Sequence, residues 1–154
     1  METLETKNLD PNFKFEVASR PGGENIKACF SCGTCTATCP VSQIDAEFNP
    51  RKIIRQVLLG MRKEVLGDAV IWRCVQCYGC YAKCPQDVKF TEVMAALREI
   101  AVEQGCFPAS MLKDVKELGD FAQEIRRDLV NILVEDPQKF QRLKDKLRDC
   151  LDKD

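Results

Sequence analysis

The chain has 154 residues with 23 basic and 24 acidic side chains, and this balance of charge gives no reason to expect nucleic acid or an anionic membrane as a partner. It contains no histidine, which excludes a Rieske centre, a His-ligated haem, a Cys2His2 zinc site and a His-based nucleophilic triad. The length suits one domain with a modest core, and no stretch is long and apolar enough to be a transmembrane segment, so we expect a cytoplasmic protein.

Residues 1–28 are predicted to form an N-terminal arm. The start of this arm is polar, and we expect it to be loosely held. Apolar and polar side chains then alternate over residues 12–18, with Phe13, Phe15 and Val17 on one side, which is the period of a half-buried strand. Such an extended segment either adds to the sheet of a partner or lies across its own domain.

Two cysteine runs, residues 29–40 and residues 74–85, share the spacing C-x2-C-x2-C-x3-C-P. In two-cluster proteins with this spacing, the first three thiolates of a run ligate one cubane cluster and the fourth ligates the other cluster. Cluster 1 is therefore predicted to be held by Cys29, Cys32, Cys35 and Cys84. Cluster 2 is predicted to be held by Cys74, Cys77, Cys80 and Cys39.

Two other interpretations of the cysteines compete with two [4Fe–4S] clusters. Pairs of the form C-x2-C alone would also suit a zinc ribbon, because soft thiolates bind either metal. Two four-cysteine runs with the same spacing and the same trailing proline favour iron–sulfur clusters. A disulfide framework is disfavoured, because in a reducing compartment this cysteine usage is typical of metal binding.

A helix is predicted between the two runs. Asn49 suits its N-cap and Pro50 its first position. Apolar residues then recur at helical spacing, namely Ile53, Ile54, Val57, Leu58 and Met61. A second short helix over residues 68–73 is predicted to lead into the second run with its apolar side chains packed inward.

A longer helix is predicted after the second run, with Thr91 as its N-cap and an end at Gly105. Its apolar face consists of Val93, Met94, Leu97, Ile100 and Ala101. Because each run is followed by an amphipathic helix, we predict an all-α domain over residues 29–105 that holds the two clusters between helices.

Residues 106–154 are predicted to form C-terminal helices, with a break at Gly119-Asp120 and a last helix capped by Asp136-Pro137. Their apolar stripes pack as a hairpin on the cluster domain or, alternatively, fill a groove of another protein chain.

Four further residues are candidates for secondary roles. Arg73 and Lys83 lie next to cluster cysteines, and each either favours the reduced cluster by its charge or is a plain surface cation. Cys106 and Cys150 lie outside the runs and are predicted to be small buried apolar residues, with a redox-active pair as the alternative.

Both runs, the helical spacer and the preceding Arg20-Pro-Gly-Gly-Glu-Asn-Ile26 segment resemble HdrC, the small iron–sulfur protein of heterodisulfide reductase. The resemblance covers roughly residues 12–105. More widely, this part of the chain is similar to the α-helical ferredoxin domain in the iron–sulfur proteins of succinate dehydrogenase and fumarate reductase. The resemblance implies an α-helical ferredoxin fold, and cysteine at all eight ligand positions implies two [4Fe–4S] clusters.

The resemblance also implies a role in electron transfer within an oxidoreductase complex. In that family electrons leave a flavin-containing HdrA-type subunit, pass through the clusters of HdrC and reach an HdrB-type subunit, where a disulfide is reduced. Methanogen complexes of this kind reduce the mixed disulfide of coenzymes M and B. The Cys-Cys-Gly motif of HdrB is absent here, so we expect a relay without catalytic residues of its own.

Three alternative functions remain open at the level of sequence. The nearest is an iron–sulfur subunit of another multi-subunit oxidoreductase with a different terminal acceptor. The others are a cluster-dependent sensor or assembly module and a zinc-stabilised interaction module.

Overall fold

The computed structural model describes residues 6–152, and within that range it contains helices and no β-strand. The predicted all-α class is confirmed. By its internal contacts the chain divides into two compact units after Leu112, near the start of the longest helix. The loosely held start predicted for the N-terminal arm falls partly on residues 1–5, which lie outside the described residues.

The α-helices of the described residues are α1 (Phe13–Ala18), α2 (Thr34–Ala37), α3 (Pro40–Ile44), α4 (Pro50–Leu58), α5 (Arg62–Leu66), α6 (Gly79–Lys83), α7 (Phe90–Glu103), α8 (Ser110–Glu135) and α9 (Pro137–Leu151). Short 3₁₀ turns lie at Thr6–Asn8, Ile26–Ala28 and Ala69–Trp72.

Helix α7 lies at the centre of the first unit. It packs against α1, α5, α6 and the Ala69–Trp72 turn. Every residue of its predicted apolar face is buried. The helix begins one residue before Thr91, so the prediction of Thr91 as N-cap was wrong. Lys89 occupies the cap in a left-handed conformation, and the Thr91 side chain is free to face the cysteines.

The predicted strand over residues 12–18 was wrong, because this segment is helix α1. Phe13 and Val17, one helical turn apart, are both fully buried, whereas Phe15 is 51% exposed. Alternation over so few residues also satisfies an i, i+4 pair, and the tertiary contacts select the helix. Arg62 pairs with Glu16 of α1 and its guanidinium carbon lies 5.1 Å from the Phe13 ring centroid, which fixes α1 against α5.

The predicted caps of the spacer are confirmed. The Asn49 side chain accepts a hydrogen bond of 3.0 Å from the Lys52 amide, and Pro50 opens α4. The segment that leads into the second run is a 3₁₀ turn whose Val70, Ile71 and Trp72 are buried, as expected of its apolar side chains.

The second unit consists of most of α8 and all of α9. The predicted break at Gly119-Asp120 was wrong, since α8 runs through it. A single glycine costs a helix about 1 kcal/mol, which is too little to interrupt 26 residues of otherwise helical sequence. Asp136 caps α9 by accepting from the amides of Gln138 and Lys139, as predicted. No side chain of either helix is buried, and what covers their apolar stripes stays a prediction.

Cys106 and Cys150 are both exposed, so the prediction that they are buried was wrong. Cys106 follows Gly105, where the chain leaves α7 in a left-handed turn, and Cys150 lies on an exposed side of α9 beside Leu151. No helix between residues 6 and 152 combines the length and the apolar character needed to cross a membrane.

Candidate metal centre

The two cysteine runs follow the same backbone path. Between the first and second cysteines, Ser31 and Gln76 have φ of 61° and 50°; between the second and third, Gly33 and Tyr78 have φ of 83° and 57°. Left-handed backbone costs a residue with a side chain about 1–2 kcal/mol, so it persists only where the surroundings require it. Both runs therefore contain the same tight loop, which turns successive cysteines around one centre.

The third and fourth cysteines of each run differ in backbone conformation. Cys35 and Cys80 lie on the short helices α2 and α6, which pack against each other. Cys39 and Cys84 follow these helices in extended backbone, with ψ of 120° and 119°, and each precedes a proline. The fourth cysteine of a run therefore leaves the path of the first three.

Two cavities separate the cysteines into two sets of four. The first cavity, the cluster 1 site, has an empty volume of about 350 Å³ and is lined by Cys29, Cys32, Cys35 and Cys84 together with Cys80. The second cavity, the cluster 2 site, has an empty volume of about 290 Å³ and is lined by Cys39, Cys74, Cys77 and Cys80. Each cavity thus holds three cysteines of one run and the fourth of the other, and Cys80 and Phe90 border both.

The donor sets fit iron–sulfur clusters. Each cavity offers four thiols, the ligands that [4Fe–4S] clusters use. Within residues 6–152 no three cysteine or carboxylate side chains are gathered to hold a single metal ion. The thiols of each set instead surround a volume, and the remaining walls of the cluster 1 site include Ile54, Val88 and Phe90, which are apolar.

The crossed arrangement depends on the close approach of α2 and α6. A Cβ atom added at Gly79, the first residue of α6, would lie 3.0 Å from Thr38 Cγ2 and 3.8 Å from Cys77 Sγ. Thr38 follows α2 and immediately precedes Cys39. Glycine at position 79 therefore lets the two runs come together, so that each delivers its last cysteine to the cavity of the other.

Three hydrogen-bond donors face cysteine sulfurs. Thr34 Oγ1 lies 3.3 Å from Cys32 Sγ, and the buried Thr91 Oγ1 lies 3.3 Å from Cys80 Sγ. The Val88 amide donates to Cys84 Sγ at 3.4 Å. A ligating thiolate has no proton to give, so both hydroxyls donate when a cluster is bound. Hydrogen bonds to the sulfurs are one of the factors that set a cluster's reduction potential.

The thiols differ in how readily they ionise. The hydrogen bond from Thr34 lowers the pKa of the exposed Cys32 thiol. Burial raises the pKa of the Cys35 and Cys74 thiols. Forming the buried thiolates costs free energy in the metal-free chain, and metal ligation supplies it, which couples cluster binding to folding.

The charged residues near the cysteines are not those that sequence neighbourhood suggests. Arg73 pairs with Asp45 at 2.8 Å and Glu47 at 2.9 Å, and Lys83 is exposed. Arg98 was not predicted from the sequence, yet its 4% exposure makes it the most buried arginine of the described residues. The available signal was its position beside Leu97, within the buried part of an amphipathic helix.

Comparison with known proteins identifies the part of the chain that contains both sites. The family described as the 4Fe-4S dicluster domain matches residues 25–88. That range contains all eight cysteines of the two runs.

Curated relatives come from archaea. The second iron-sulfur C-type subunit of the CoB–CoM heterodisulfide reductase of Methanocaldococcus jannaschii is 49% identical over 82 residues, which are 53% of this chain and 43% of that protein. The C2 subunit of the H2/formate:CoB-CoM heterodisulfide, ferredoxin reductase of Methanococcus maripaludis is 46% identical over 104 residues, 68% of this chain and 52% of that protein. A heterodisulfide reductase C-subunit-like protein of Archaeoglobus profundus is 30% identical over 110 residues, 71% of this chain and 58% of that protein.

The chain spans about half the length of these relatives. Residues 25–88 are a 4Fe-4S dicluster domain that binds two [4Fe–4S] clusters, and the resemblance of the chain to HdrC of heterodisulfide reductase is confirmed by the relatives that are named for this subunit.

Proposed function

We propose that the protein is an electron-transfer iron–sulfur subunit of a heterodisulfide reductase-type complex. It relays single electrons from a flavin-containing HdrA-type subunit to an HdrB-type subunit that reduces a disulfide. The observation that carries the proposal is the pair of adjacent four-cysteine cavities, which share Cys80 and Phe90 as a common wall.

The proposed ligands are those that line each cavity. Cys29, Cys32, Cys35 and Cys84 hold cluster 1, and Cys74, Cys77, Cys80 and Cys39 hold cluster 2. When bound, the two clusters supply one-electron oxidation and reduction. The apolar walls keep water from the sulfurs, while Thr34 and Thr91 donate hydrogen bonds to them.

Exposure supports passage of electrons through the chain rather than storage within it. Each proposed ligand set contains one exposed cysteine, Cys32 in the first and Cys77 in the second. The shared wall lies between the two sites. Each site thus has a side that a partner can approach and a side that adjoins the other site.

The chain's own part in the reaction is to bind, space and shield the clusters. All eight cysteines of the two runs are assigned as ligands, which leaves Cys106 and Cys150 as unassigned thiols. The disulfide chemistry is therefore assigned to the HdrB-type partner. A cytoplasmic location is part of the proposal, because a reducing compartment keeps such thiols available for metal.

The test is identification of the proteins that co-purify with the tagged chain under anaerobic conditions, from cells of its own source, in oxidised and in reduced buffer. Two further proteins are expected in both states, one that contains flavin and one that is rich in cysteine. A matched control is the Cys106→Ser variant, which alters an exposed cysteine outside both sites and should retain the same partners.

Three outcomes would contradict the proposal. A chain that purifies alone does not belong to such a complex. A different set of oxidoreductase proteins would identify another terminal acceptor. Loss of a partner in only one redox state is the behaviour of a sensor, since a relay keeps its partners in both states.

A further inference from the structure

Arg98 lies inside the first unit with no anionic partner among residues 6–152. It is on α7, and only 4% of its surface is exposed. Its guanidinium donates hydrogen bonds to three backbone carbonyls: Nε to Ile71 at 2.8 Å, and Nη2 to Trp72 at 3.2 Å and to Cys74 at 3.0 Å.

These contacts join α7 to the start of the second cysteine run. Two of the accepting carbonyls belong to the Ala69–Trp72 turn, and the third belongs to Cys74. The Arg98 guanidinium carbon also lies 5.6 Å from the Trp72 ring centroid. Carbonyls and an aromatic face are neutral, so they orient the guanidinium without cancelling its charge.

An uncancelled buried cation is costly to retain, and such charges are normally paired. Burial lowers the pKa of the Arg98 guanidinium, and the negative charge of the nearby Cys74 acts in the opposite direction. The structure therefore contains a cation whose natural counter-charge is whatever anionic group Cys74 ligates.

We propose that Arg98 is the internal counter-ion of the cluster 2 site, a positioning residue that fixes Cys74 and raises the reduction potential of the cluster bound there. The inference rests on the proposed ligand set and not on the identity of the partners. It concerns cluster 2 alone, because the contacts of Arg98 lead to Cys74 and to no cysteine of the cluster 1 site.

The physical reason is that reduction adds one negative charge to a cluster that four thiolates already make anionic. A cation held in a low-dielectric interior stabilises the reduced form more than the oxidised form, so the potential rises. The surface cations do not compete: Arg73 is 40% exposed at its side chain and paired with two carboxylates. Water and those carboxylates screen its charge.

Two substitutions separate the charge from the hydrogen bonds. Arg98→Gln removes the charge but keeps a donor for the carbonyls, whereas Arg98→Lys keeps the charge and changes the donor geometry. The measurement is a redox titration of the isolated, cluster-loaded chain, followed by electron paramagnetic resonance, with the iron content of each variant determined in parallel. No partner is needed, so failure of the proposed complex would not affect the result.

In Arg98→Gln one of the two reduction steps should shift to lower potential. The expected shift is at least tenfold in the ratio of reduced to oxidised cluster at fixed potential, which is about 59 mV for a one-electron couple. The other step should change by less than threefold. In Arg98→Lys both steps should stay within threefold of the original chain.

Matched variants assign the shifted step to a site. Thr91→Val removes the donor to Cys80 and should lower the same step as Arg98→Gln, whereas Thr34→Val should lower the other. Arg73→Gln, which changes the arginine next to Cys74 in sequence, should leave both steps within threefold.

The inference is overturned if Arg98→Gln shifts neither step or both steps equally. It is also overturned if Arg98→Lys shifts a step as far as Arg98→Gln does, because hydrogen-bond geometry would then be responsible. Loss of one cluster in both variants, leaving about four irons per chain, would show a purely structural role and reject the effect on potential.

Discussion

Left-handed backbone is a requirement of both cysteine runs, but they meet it with different residues. Gly33 adopts φ of 83° without a side chain, while Gln76 adopts φ of 50° with an exposed side chain. The Gly33→Ala variant should lower the free energy of unfolding by about 1–2 kcal/mol, since alanine is strained in this region. Anaerobic urea unfolding, followed by the visible absorbance of the clusters, measures it.

Gln76→Gly is the control for this substitution. Glycine enters the left-handed region without strain, so this variant should not lose stability through the native backbone. If Gly33→Ala were as stable as the original chain, the left-handed loop would not be a constraint on the first run.

Single residues also show what sequence alone predicts. The cysteine positions follow from spacing, because three thiolates on a short loop must turn around one centre. The role of Arg98 does not follow from spacing, because it depends on how α7 packs against the Ala69–Trp72 turn. Arg73 adjoins Cys74 in the chain, yet its side chain is bound by Asp45 and Glu47.

At the scale of elements, the approach of α2 to α6 controls the crossing of the runs. Gly79→Ala should destabilise the holoprotein by about 1–3 kcal/mol, because its new Cβ would lie 3.0 Å from Thr38 Cγ2. Thr38→Ser removes that methyl group and should restore much of the loss in the double variant. Equal losses in Gly79→Ala with and without Thr38→Ser, measured by urea unfolding, would contradict this account of the contact.

Two glycines outside the cluster sites have equal space but different backbone. A Cβ at Gly119 or at Gly105 would meet no atom within 4 Å. Gly119 lies within α8, so Gly119→Ala should stabilise the chain by about 0.5–1 kcal/mol. Gly105 has φ of 69°, so Gly105→Ala should destabilise it by about 1 kcal/mol. Unfolding followed by far-ultraviolet circular dichroism distinguishes the signs, and the same sign in both would contradict the prediction.

Element boundaries were predictable where a local signal fixes them. Asn49-Pro50 and Asp136-Pro137 cap helices through their own side chains and the fixed φ of proline, so both starts were correct. Helix α1 was missed because a few alternating residues fit a strand as well as a helix, and contacts with α4 and α7 decide between them. The continuity of α8 was missed because one glycine was given too much weight.

At the scale of the whole molecule, the cysteine segments should depend on metal for their structure. Helices α2 and α6 have four and five residues, far below the length at which an isolated helix is stable in water. Removal of iron by a chelator should therefore abolish hydrogen-exchange protection in α2 and α6, while α7, with its buried apolar face, keeps more of its protection. Protection of α2 and α6 that persists without iron would contradict this coupling.

The crossed ligand sets are the central claim, and paired variants of the cluster-loaded chain test them most directly. Iron content and the [4Fe–4S] signal in electron paramagnetic resonance would be measured in Cys32→Ala/Cys84→Ala and in Cys77→Ala/Cys84→Ala. The crossed sets predict that the first pair removes two ligands of cluster 1 and leaves one intact cluster, about four irons per chain, whereas the second pair damages both clusters. The reverse pattern, with an intact cluster only in Cys77→Ala/Cys84→Ala, would contradict the account.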